Sequence, residues 1–276
     1  MTYDKTEIII SPIESTSQYW RDIWAYRELF VFLAWRDILV RYKQAVIGVM
    51  WCLVKPLITM VVFTVVFGNI AKLPSEGIPY PILVFAALLP WQFFSNAISD
   101  SSNSLLANSN LLSKVYFPRL IIPISSVMVS LVDFVISFFI LMVLMAYYQF
   151  MPGWRILCIP VFMSVAISAA LGAGFWFASL NVAYRDFRFI VPFVVQVGLF
   201  VSPVGFSSSI VPEKWHFLYS LNPMVAVIDG FRWVISGSTQ NIDPSGMLLS
   251  SVISIFLLLS GLWFFRRTER SFADVI

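Results

Sequence analysis

Several stretches of this chain run past 18 residues with no charged side chain or with only one. A helix of that length can cross the hydrocarbon core of a bilayer, which is about 30 Å thick. The composition agrees, because 59% of the residues are hydrophobic and only 12% are charged, whereas a typical soluble domain has roughly 25% charged residues. The sequence therefore predicts an all-α integral membrane protein.

The apolar stretches divide the chain into two parts: an N-terminal segment, residues 1–45, and a membrane domain, residues 46–276. Within the membrane domain we predict six transmembrane helices, at about 46–71, 81–99, 120–147, 156–180, 189–206 and 247–265. The loops between them are short, except for the loop 207–246 between the last two spans.

The distribution of Lys and Arg predicts the orientation, because these residues accumulate in loops that stay in the cytoplasm. With the N-terminus in the cytoplasm, thirteen of the 18 basic residues fall on the cytoplasmic side and four on the outer side. Lys55 is the remaining one and lies near the inner end of the first span. Both termini are therefore predicted to be cytoplasmic. The four outer basic residues are Lys72, Arg155, Lys214 and Arg232.

The N-terminal segment mixes Trp, Tyr and Phe with charged residues from Ser17 to Lys43. That mixture is typical of helices that lie at the cytoplasmic surface of a membrane. The charges do not fall on one helical face, so we expect the helix to be partly covered by protein. The candidate interface residues are Arg36, Asp37, Arg41, Tyr42 and Lys43.

The long outer loop contains two apolar pieces, Trp215–Leu221 and Met224–Ile235, separated by Asn222 and Pro223. A twelve-residue helix rises only about 18 Å and cannot cross the membrane. We interpret the pieces as re-entrant outer helices that dip into the membrane and return, which requires protein or water around their ends. A plain amphipathic loop is the alternative.

Small residues recur at every fourth position of the fourth span, a spacing that lets two helices approach closely. Packing within one chain is the preferred interpretation, and a contact between two copies is the alternative. The residues are Ala166, Ala170, Gly174 and Ala178, with Ser164, Ser168 and Gly172 on a neighbouring row.

The chain shows no energy source of its own. It has no G-x-x-x-x-G-K-[ST] loop for ATP, and its single histidine, His216, has no cysteine or carboxylate cluster at metal-ligand spacing. Asp133 is the one clear ionisable residue deep in a span, whereas an ion-coupled transporter needs several. A secondary transporter and a membrane enzyme are therefore weaker interpretations than a transport shell that a partner drives.

Four motifs, spread from about Arg27 to the C-terminus, resemble those of one known family. They are LAWRDILVRYKQAVIG at Leu33–Gly48 followed by Trp51 and Pro56, LSKVYFPR at Leu112–Arg119, AYRD at Ala183–Asp186, and LNPM at Leu221–Met224. In this order and spacing they resemble the permease subunits of ABC transporters that export polysaccharides, namely O-antigen, capsule or teichoic acid. Lys55 departs from the family pattern, in which we expect an uncharged residue before the proline.

The resemblance implies a multi-pass permease of the bacterial cytoplasmic (inner) membrane that exports a lipid-linked polysaccharide. It implies a homodimer of this chain joined to two copies of a cytoplasmic ATPase subunit, which binds the ATP and Mg²⁺. This chain is then not an enzyme and binds no cofactor, metal or nucleic acid itself. Its other partners are the glycan substrate and membrane lipids.

The resemblance also assigns roles to residues. The ATPase-coupling residues are Leu111, Leu112, Lys114, Val115, Tyr116, Phe117, Pro118, Arg119, Arg185 and Asp186. The interface helix is expected to brace against the ATPase and the lipid headgroups. Mid-span aromatic residues are candidates for lining a glycan channel, although core packing is the preferred interpretation for any single one: Trp51, Phe63, Phe67, Trp91, Phe94, Phe193 and Phe200. The outer gate comprises Asn222, Pro223, Met224 and Arg232.

Overall fold

The computed structural model describes residues 16–43, 48–75, 77–150, 153–236 and 244–272, and within these ranges it contains eleven α-helices and no β-strand. The helices are α1 (Thr16–Ala25), α2 (Arg27–Lys43), α3 (Gly48–Phe63), α4 (Tyr80–Ala107), α5 (Ser109–Leu112), α6 (Ile121–Tyr147), α7 (Ile159–Ala183), α8 (Phe187–Val201), α9 (Glu213–Ser220), α10 (Pro223–Ser236) and α11 (Pro244–Thr268). A π-helix, Thr64–Ile70, continues α3. The all-α prediction is confirmed.

Five helical segments in the described ranges are long and apolar enough to cross a membrane: Leu53–Ile70, Tyr80–Ala107, Ile121–Tyr147, Trp154–Ala183 and Pro244–Thr268. The predicted span 189–206 corresponds to α8, which is apolar but has only 15 residues and rises about 22 Å. Its end at Val201 has a local cause. Ser202 precedes Pro203, which pushes the preceding residue out of the helical region, and Ser202 is extended with ψ of 152°.

The second span is longer than predicted, since α4 continues past residue 99 to Ala107. Polar residues in this last part suggested a loop, but several of their side chains bond back to carbonyl groups of the same helix. The Ser102 hydroxyl donates to the Ser99 carbonyl at 3.0 Å, and the Ser104 hydroxyl donates to the Ser101 carbonyl at 2.7 Å. The polarity of the sequence therefore does not end the helix here.

Helix α4 lies at the centre of the bundle and packs against α3, α6, α7, α8 and α10. Its first half is buried almost without interruption, from Ile82 to Trp91. A second apolar cluster lies at the other end of α4, where α1 and α2 meet the start of α6 and the ends of α7 and α11. We call it the cytoplasmic cluster, following the predicted orientation.

Small residues allow α7 to approach its neighbours within this chain. A Cβ added to Gly172 would lie 2.4 Å from the Leu257 backbone of α11, and one added to Gly261 would lie 2.3 Å from the Gly172 carbonyl oxygen. Gly174 faces Ser101 of α4 in the same way. The small-residue row of α7 therefore packs inside one chain, as the sequence favoured.

Two helices leave large apolar surfaces uncovered. In α8 only Val191 is buried, and in the first span the exposed side chains include Ile58, Val61 and Val65. Both helices pack against α4, and Phe67 at the end of the first span packs against Gly205 just after α8, whereas α11 packs chiefly against α7 and α10. The flank formed by α3 and α8 is thus available to lipid or to another subunit.

Candidate functional site

The segment between α4 and α6, residues 108–120, forms a short connection that we call the coupling loop. It begins with the single helical turn α5, and its tip, Ser113–Tyr116, is exposed. Val115 is 50% exposed and Tyr116 is 53% exposed. An aromatic side chain presented on a charged loop tip is a suitable anchor for a partner protein.

The adjacent aromatic residue, Phe117, has the opposite environment. It is 3% exposed and belongs to the cytoplasmic cluster, together with Leu33, Leu120 and Phe265. Pro118 is also buried, and it begins the turn that leads into α6, six residues after α5 ends at Leu112. Phe117 therefore anchors the loop to the bundle. Lys114, Val115 and Tyr116 remain exposed and are the residues that a partner protein could contact.

Glu269, just after α11, joins three separate parts of the chain. Its carboxylate accepts a hydrogen bond from the Arg119 backbone N–H at 2.8 Å and another from the Tyr19 hydroxyl at 2.9 Å. The Arg119 guanidinium donates to the Glu269 carbonyl oxygen at 2.5 Å. The coupling loop, α1 and the end of α11 are thus tied together at one residue.

This junction could not be predicted from neighbouring residues, because the partners of Glu269 lie 150 and 250 positions away along the chain. Burial raises the pKa of the Glu269 carboxyl above its ordinary value of 4.5, and the hydrogen bonds from Arg119 and Tyr19 offset this only in part. Burial and the charge of Glu269 likewise raise the pKa of the Tyr19 phenol. Folding therefore makes the Glu269 carboxyl harder to ionise than it is in the unfolded chain.

The raised pKa predicts that replacement of Glu269 by glutamine reduces the loss of stability at high pH. A carboxyl with a raised folded-state pKa binds more protons in the folded than in the unfolded state, so stability falls as pH rises from 4.5 through the raised value. Glutamine is neutral throughout and can still accept one hydrogen bond. Melting temperatures of the purified variant should drop less than those of the wild type between about pH 5 and about pH 8.

The control is Glu269→Ala, which removes both hydrogen bonds and should melt below the wild type at both pH values. An equal pH dependence in Glu269→Gln and wild type would contradict the assignment.

Helix α2 is fixed to the bundle by Arg41. Its guanidinium contacts Asp133 of α6 at 2.7 Å and Asp100 of α4 at 2.9 Å, and the neighbouring Tyr42 hydroxyl donates a short hydrogen bond to Asp133. Burial alone would lower the pKa of Arg41, but the two carboxylates outweigh it and raise the pKa. Asp133, whose role the sequence left open, is therefore a structural partner of the interface helix.

The interface helix differs in part from expectation. It was expected to face the ATPase and the headgroups, but Arg41 and Tyr42 point into the bundle, and α2 packs along α6. Arg36 bridges Asp37 and the Asn108 side chain, each at 2.7 Å, and Lys43 is exposed. Partial cover by protein, which the scattered charges indicated, is what the structure shows.

Lys55, the departure from the family motif, lines a small cavity beside the group of Arg41, Tyr42, Asp100 and Asp133, which we call the Arg41 hub. The cavity has a volume of about 50 Å³, and its lining is mixed. Its polar lining residues include Gln92, Asn96 and Asp133, and its apolar ones are Pro56, Leu89, Phe93 and Phe134.

The loop between α7 and α8 presents Arg185 and Asp186, which are both exposed. It lies at the same end of the bundle as the coupling loop, because Asn181 near the end of α7 donates to the Ser102 carbonyl near the end of α4 at 2.9 Å. The structure therefore brings the two predicted coupling segments to one end of the molecule.

The predicted channel aromatics fall into distinct environments. Trp91 is 5% exposed and packs against Gly198 of α8. The centroids of the Trp91 and Phe94 rings are 5.7 Å apart. Phe63 and Phe67 form an edge-to-face pair that is partly buried. By contrast, two residues of α8 project outward, Phe193 at 67% and Phe200 at 62% exposed. Trp51 lies in α3, but its side chain lies outside the described residues.

At the opposite end, the two outer helices α9 and α10 meet at Asn222, as the Asn-Pro break predicted. Asn222 caps α10, since its side-chain oxygen accepts the Met224 backbone N–H at 3.0 Å, and its amide donates to the Ser202 hydroxyl at 2.9 Å. Pro223 occupies the first helical position, which suits its fixed φ. Pro223 and Met224 are buried against the bundle.

Arg232 holds the turn that follows α8. It is 4% exposed, and its guanidinium donates to the Phe206 carbonyl at 2.7 Å and to the Val204 carbonyl at 3.1 Å. The Tyr80 hydroxyl donates to the Gly205 carbonyl of the same turn at 2.8 Å. These hydrogen bonds join α4 and α10 to the turn after α8, so a movement of the outer helices would be transmitted to α8.

Replacement of Asn222 by alanine is expected to destabilise the protein by about 1–2 kcal/mol, because it removes the cap of α10 and the bond to Ser202. Replacement by aspartate keeps an oxygen at the capping position, and the Ser202 hydroxyl can donate to the carboxylate in place of the lost amide bond, so this variant should remain close to wild type. Thermal unfolding of the purified variants measures the difference. Equal melting temperatures for the two variants would show that the cap does not stabilise the outer helices.

Comparison with known proteins identifies the family. The profile described as "ABC-2 type transporter" matches residues 28–236, which reach from α2 to the end of α10. The chain belongs to the ABC-2 transporter family. The matched region of this ABC-2 protein contains the Arg41 hub, the coupling loop and the outer helices, and it excludes Tyr19 and Glu269.

Three relatives extend the comparison. The ABC-2 chain is 28% identical over 260 residues to the O-antigen export system permease protein RfbA of Myxococcus xanthus, covering 93% of this chain and 98% of that protein. It is 26% identical over 251 residues to RfbA of Klebsiella pneumoniae, covering 90% and 95%. It is 20% identical over 243 residues to the polysialic acid transport protein KpsM of Escherichia coli, covering 86% and 92%.

Proposed function

We propose that this ABC-2 protein is the membrane-spanning permease subunit of an exporter for a lipid-linked, O-antigen-like polysaccharide. In this proposal the protein lies in the bacterial cytoplasmic membrane with both termini inside, and a separate subunit hydrolyses ATP. The observation that carries the proposal is the similarity, along nearly the whole of both chains, to permeases named for O-antigen export.

The proposed ATPase contact is the exposed tip of the coupling loop, together with the loop that carries Arg185 and Asp186. Both lie at one end of the bundle and expose charged and aromatic side chains. Behind the tip, Phe117 and the Glu269 junction link the loop to α1, α2 and α11. A push on the tip would therefore reach several helices at once. Two copies of the ATPase would bind one permease dimer.

The proposed dimer interface and glycan path involve the flank of α3 and α8. These helices leave aromatic and aliphatic side chains uncovered, including Phe193 and Phe200. Aromatic faces can stack on the apolar faces of sugar rings with little demand on sugar identity. A two-fold arrangement is the usual one for such homo-oligomers. Trp91 supports this flank from behind, and we assign it to packing rather than to contact with glycan.

Capsular polysaccharide is the second candidate substrate, and similarity to the polysialic acid transport protein KpsM supports it. Teichoic acid export follows from the sequence resemblance alone. These candidates share the same architecture and differ in the exported glycan.

The test is export in inverted membrane vesicles that contain the protein with its ATPase, combined with mass spectrometry of the copurified lipid-linked glycan. We expect ATP-dependent uptake of the lipid-linked glycan into the vesicles, and none when the catalytic lysine of the ATPase is replaced. An O-antigen repeat in the copurified lipid supports the main proposal, and a capsular repeat supports the alternative. Uptake that continues without ATP would contradict both.

A further inference from the structure

A groove runs between α1 and the C-terminal part of α11, including the residues just after that helix. It has a volume of about 600 Å³ and is lined by Trp20, Leu259, Trp263, Arg266, Arg267 and Arg270. We call it the α1–α11 groove. It begins apolar and ends basic. From Leu259 to Arg270 a helix rises about 16 Å, which is enough to accommodate part of a lipid chain and its headgroup.

At the basic end of the groove, Arg266 lies close enough to Glu269 to lower the pKa of that carboxyl, whereas Arg267 and Arg270 have no carboxylate partner among the described residues. Within the described ranges, no carboxylate oxygen lies within 4 Å of the three guanidinium groups. Arg266 instead stacks over the Tyr19 ring at 4.5 Å, and Arg267 lies over the Trp263 ring at 5.4 Å. These aromatic contacts orient the guanidinium groups without neutralising them, so an anion can still approach.

The apolar end distinguishes a lipid from a soluble anion. Leu259 is 60% exposed and Trp263 is 59% exposed on the surface of a helix that is long enough to span the membrane. Tryptophan beside arginine is typical of the headgroup level of a bilayer. A phospholipid can contact both ends of the groove, its phosphate at the arginines and its acyl chain along Leu259 and Trp263. A free phosphate can contact only the basic end.

We propose that the α1–α11 groove binds one anionic phospholipid of the cytoplasmic leaflet. Arg267 and Arg270 contact its headgroup phosphate, and Leu259 and Trp263 contact an acyl chain. The bound lipid would bridge α1 to α11, the same elements that Glu269 joins from the other side. Helix α11 packs chiefly against α7 and α10 rather than against α3 or α8, so phospholipid rather than the exported glycan lipid is the expected occupant.

The test is native mass spectrometry of the protein extracted from nanodiscs of defined composition, with phosphatidylglycerol as the anionic probe and phosphatidylcholine as the zwitterionic one. The wild type is expected to retain one phosphatidylglycerol per chain in preference to phosphatidylcholine. The variant Arg267→Gln with Arg270→Gln should weaken this retention roughly 30-fold, since each arginine near an anionic headgroup contributes about five-fold in affinity.

The matched control is Arg21→Gln with Arg27→Gln, which removes the same charge from exposed positions of α1 and α2 outside the groove. This control should retain the lipid as the wild type does. Equal loss of lipid from both double variants would show only a general attraction to the basic face and overturn the site. Equal retention of phosphatidylcholine and phosphatidylglycerol by the wild type would overturn it as well. Neither result depends on which glycan is exported.

Discussion

Replacement of Tyr116 by alanine is expected to uncouple ATP hydrolysis from export while the protein still folds. The side chain is 53% exposed at the tip of the coupling loop, so its loss removes little packing within the chain. An aromatic anchor at a protein interface typically accounts for about 2 kcal/mol of binding, which corresponds to roughly a 30-fold loss of affinity. ATP-driven glycan export in vesicles and affinity for the purified ATPase both measure the effect.

The neighbouring Phe117 is the matched comparison, since it is the same kind of residue with its side chain turned inward. Phe117→Ala should destabilise the fold by about 3–5 kcal/mol, because it empties a buried site in the cytoplasmic cluster. Its melting temperature should fall sharply, whereas that of Tyr116→Ala should not. Unchanged export in Tyr116→Ala, at wild-type affinity for the ATPase, would remove Tyr116 from the coupling contact.

Loss of Arg41 is expected to have the largest effect on folding. Arg41→Met leaves Asp133, whose side chain is 9% exposed, and Asp100 without their shared cation. Breaking a buried ion pair on one side costs about 3–5 kcal/mol, and we expect the lower end here because the Arg41 side chain is 34% exposed. The yield of folded protein and its thermal unfolding in detergent measure the loss.

Arg36→Gln is the control on the same helix. Arg36 pairs with Asp37, and both side chains are partly exposed, at 38% and 28%, so the pair contributes at most about 1 kcal/mol. A fall in melting temperature of similar size in both variants would mean that any lost charge destabilises α2, and the specific role of the Arg41 hub would be wrong.

The all-α architecture and five of the six predicted spans could be predicted because long apolar runs are a property of neighbouring residues. The Asn222–Pro223 break between the outer helices is equally local. The end of α8 at Val201 also had a local signal in Pro203. The apolar run continues past this proline, and the predicted span was therefore too long. The predicted end of α4 was wrong because serine hydroxyls can bond back to their own helix.

The long-range pairings could not be predicted in the same way. Arg41 meets residues 59 and 92 positions away, and Glu269 meets partners at 150 and 250. The residues that neighbour a charged residue in the sequence do not indicate which distant residue it pairs with. For the same reason the motif containing Tyr116 and Phe117 did not reveal which ring faces inward. Those features depend on how the helices pack, which a single sequence does not state.

The short α8 makes the hydrophobic height of this protein uneven around its perimeter. Its 15 residues rise about 22 Å, whereas the 27 residues of α6 rise about 40 Å. A bilayer beside α8 would have to thin, and such mismatch costs fractions of a kcal/mol for each ångström. Covering that flank with the same flank of a second copy removes the mismatch for both. The cost of this mismatch thus favours association of two copies through α8, independent of any specific contact. Because the mismatch grows with bilayer thickness, thicker bilayers should strengthen the association.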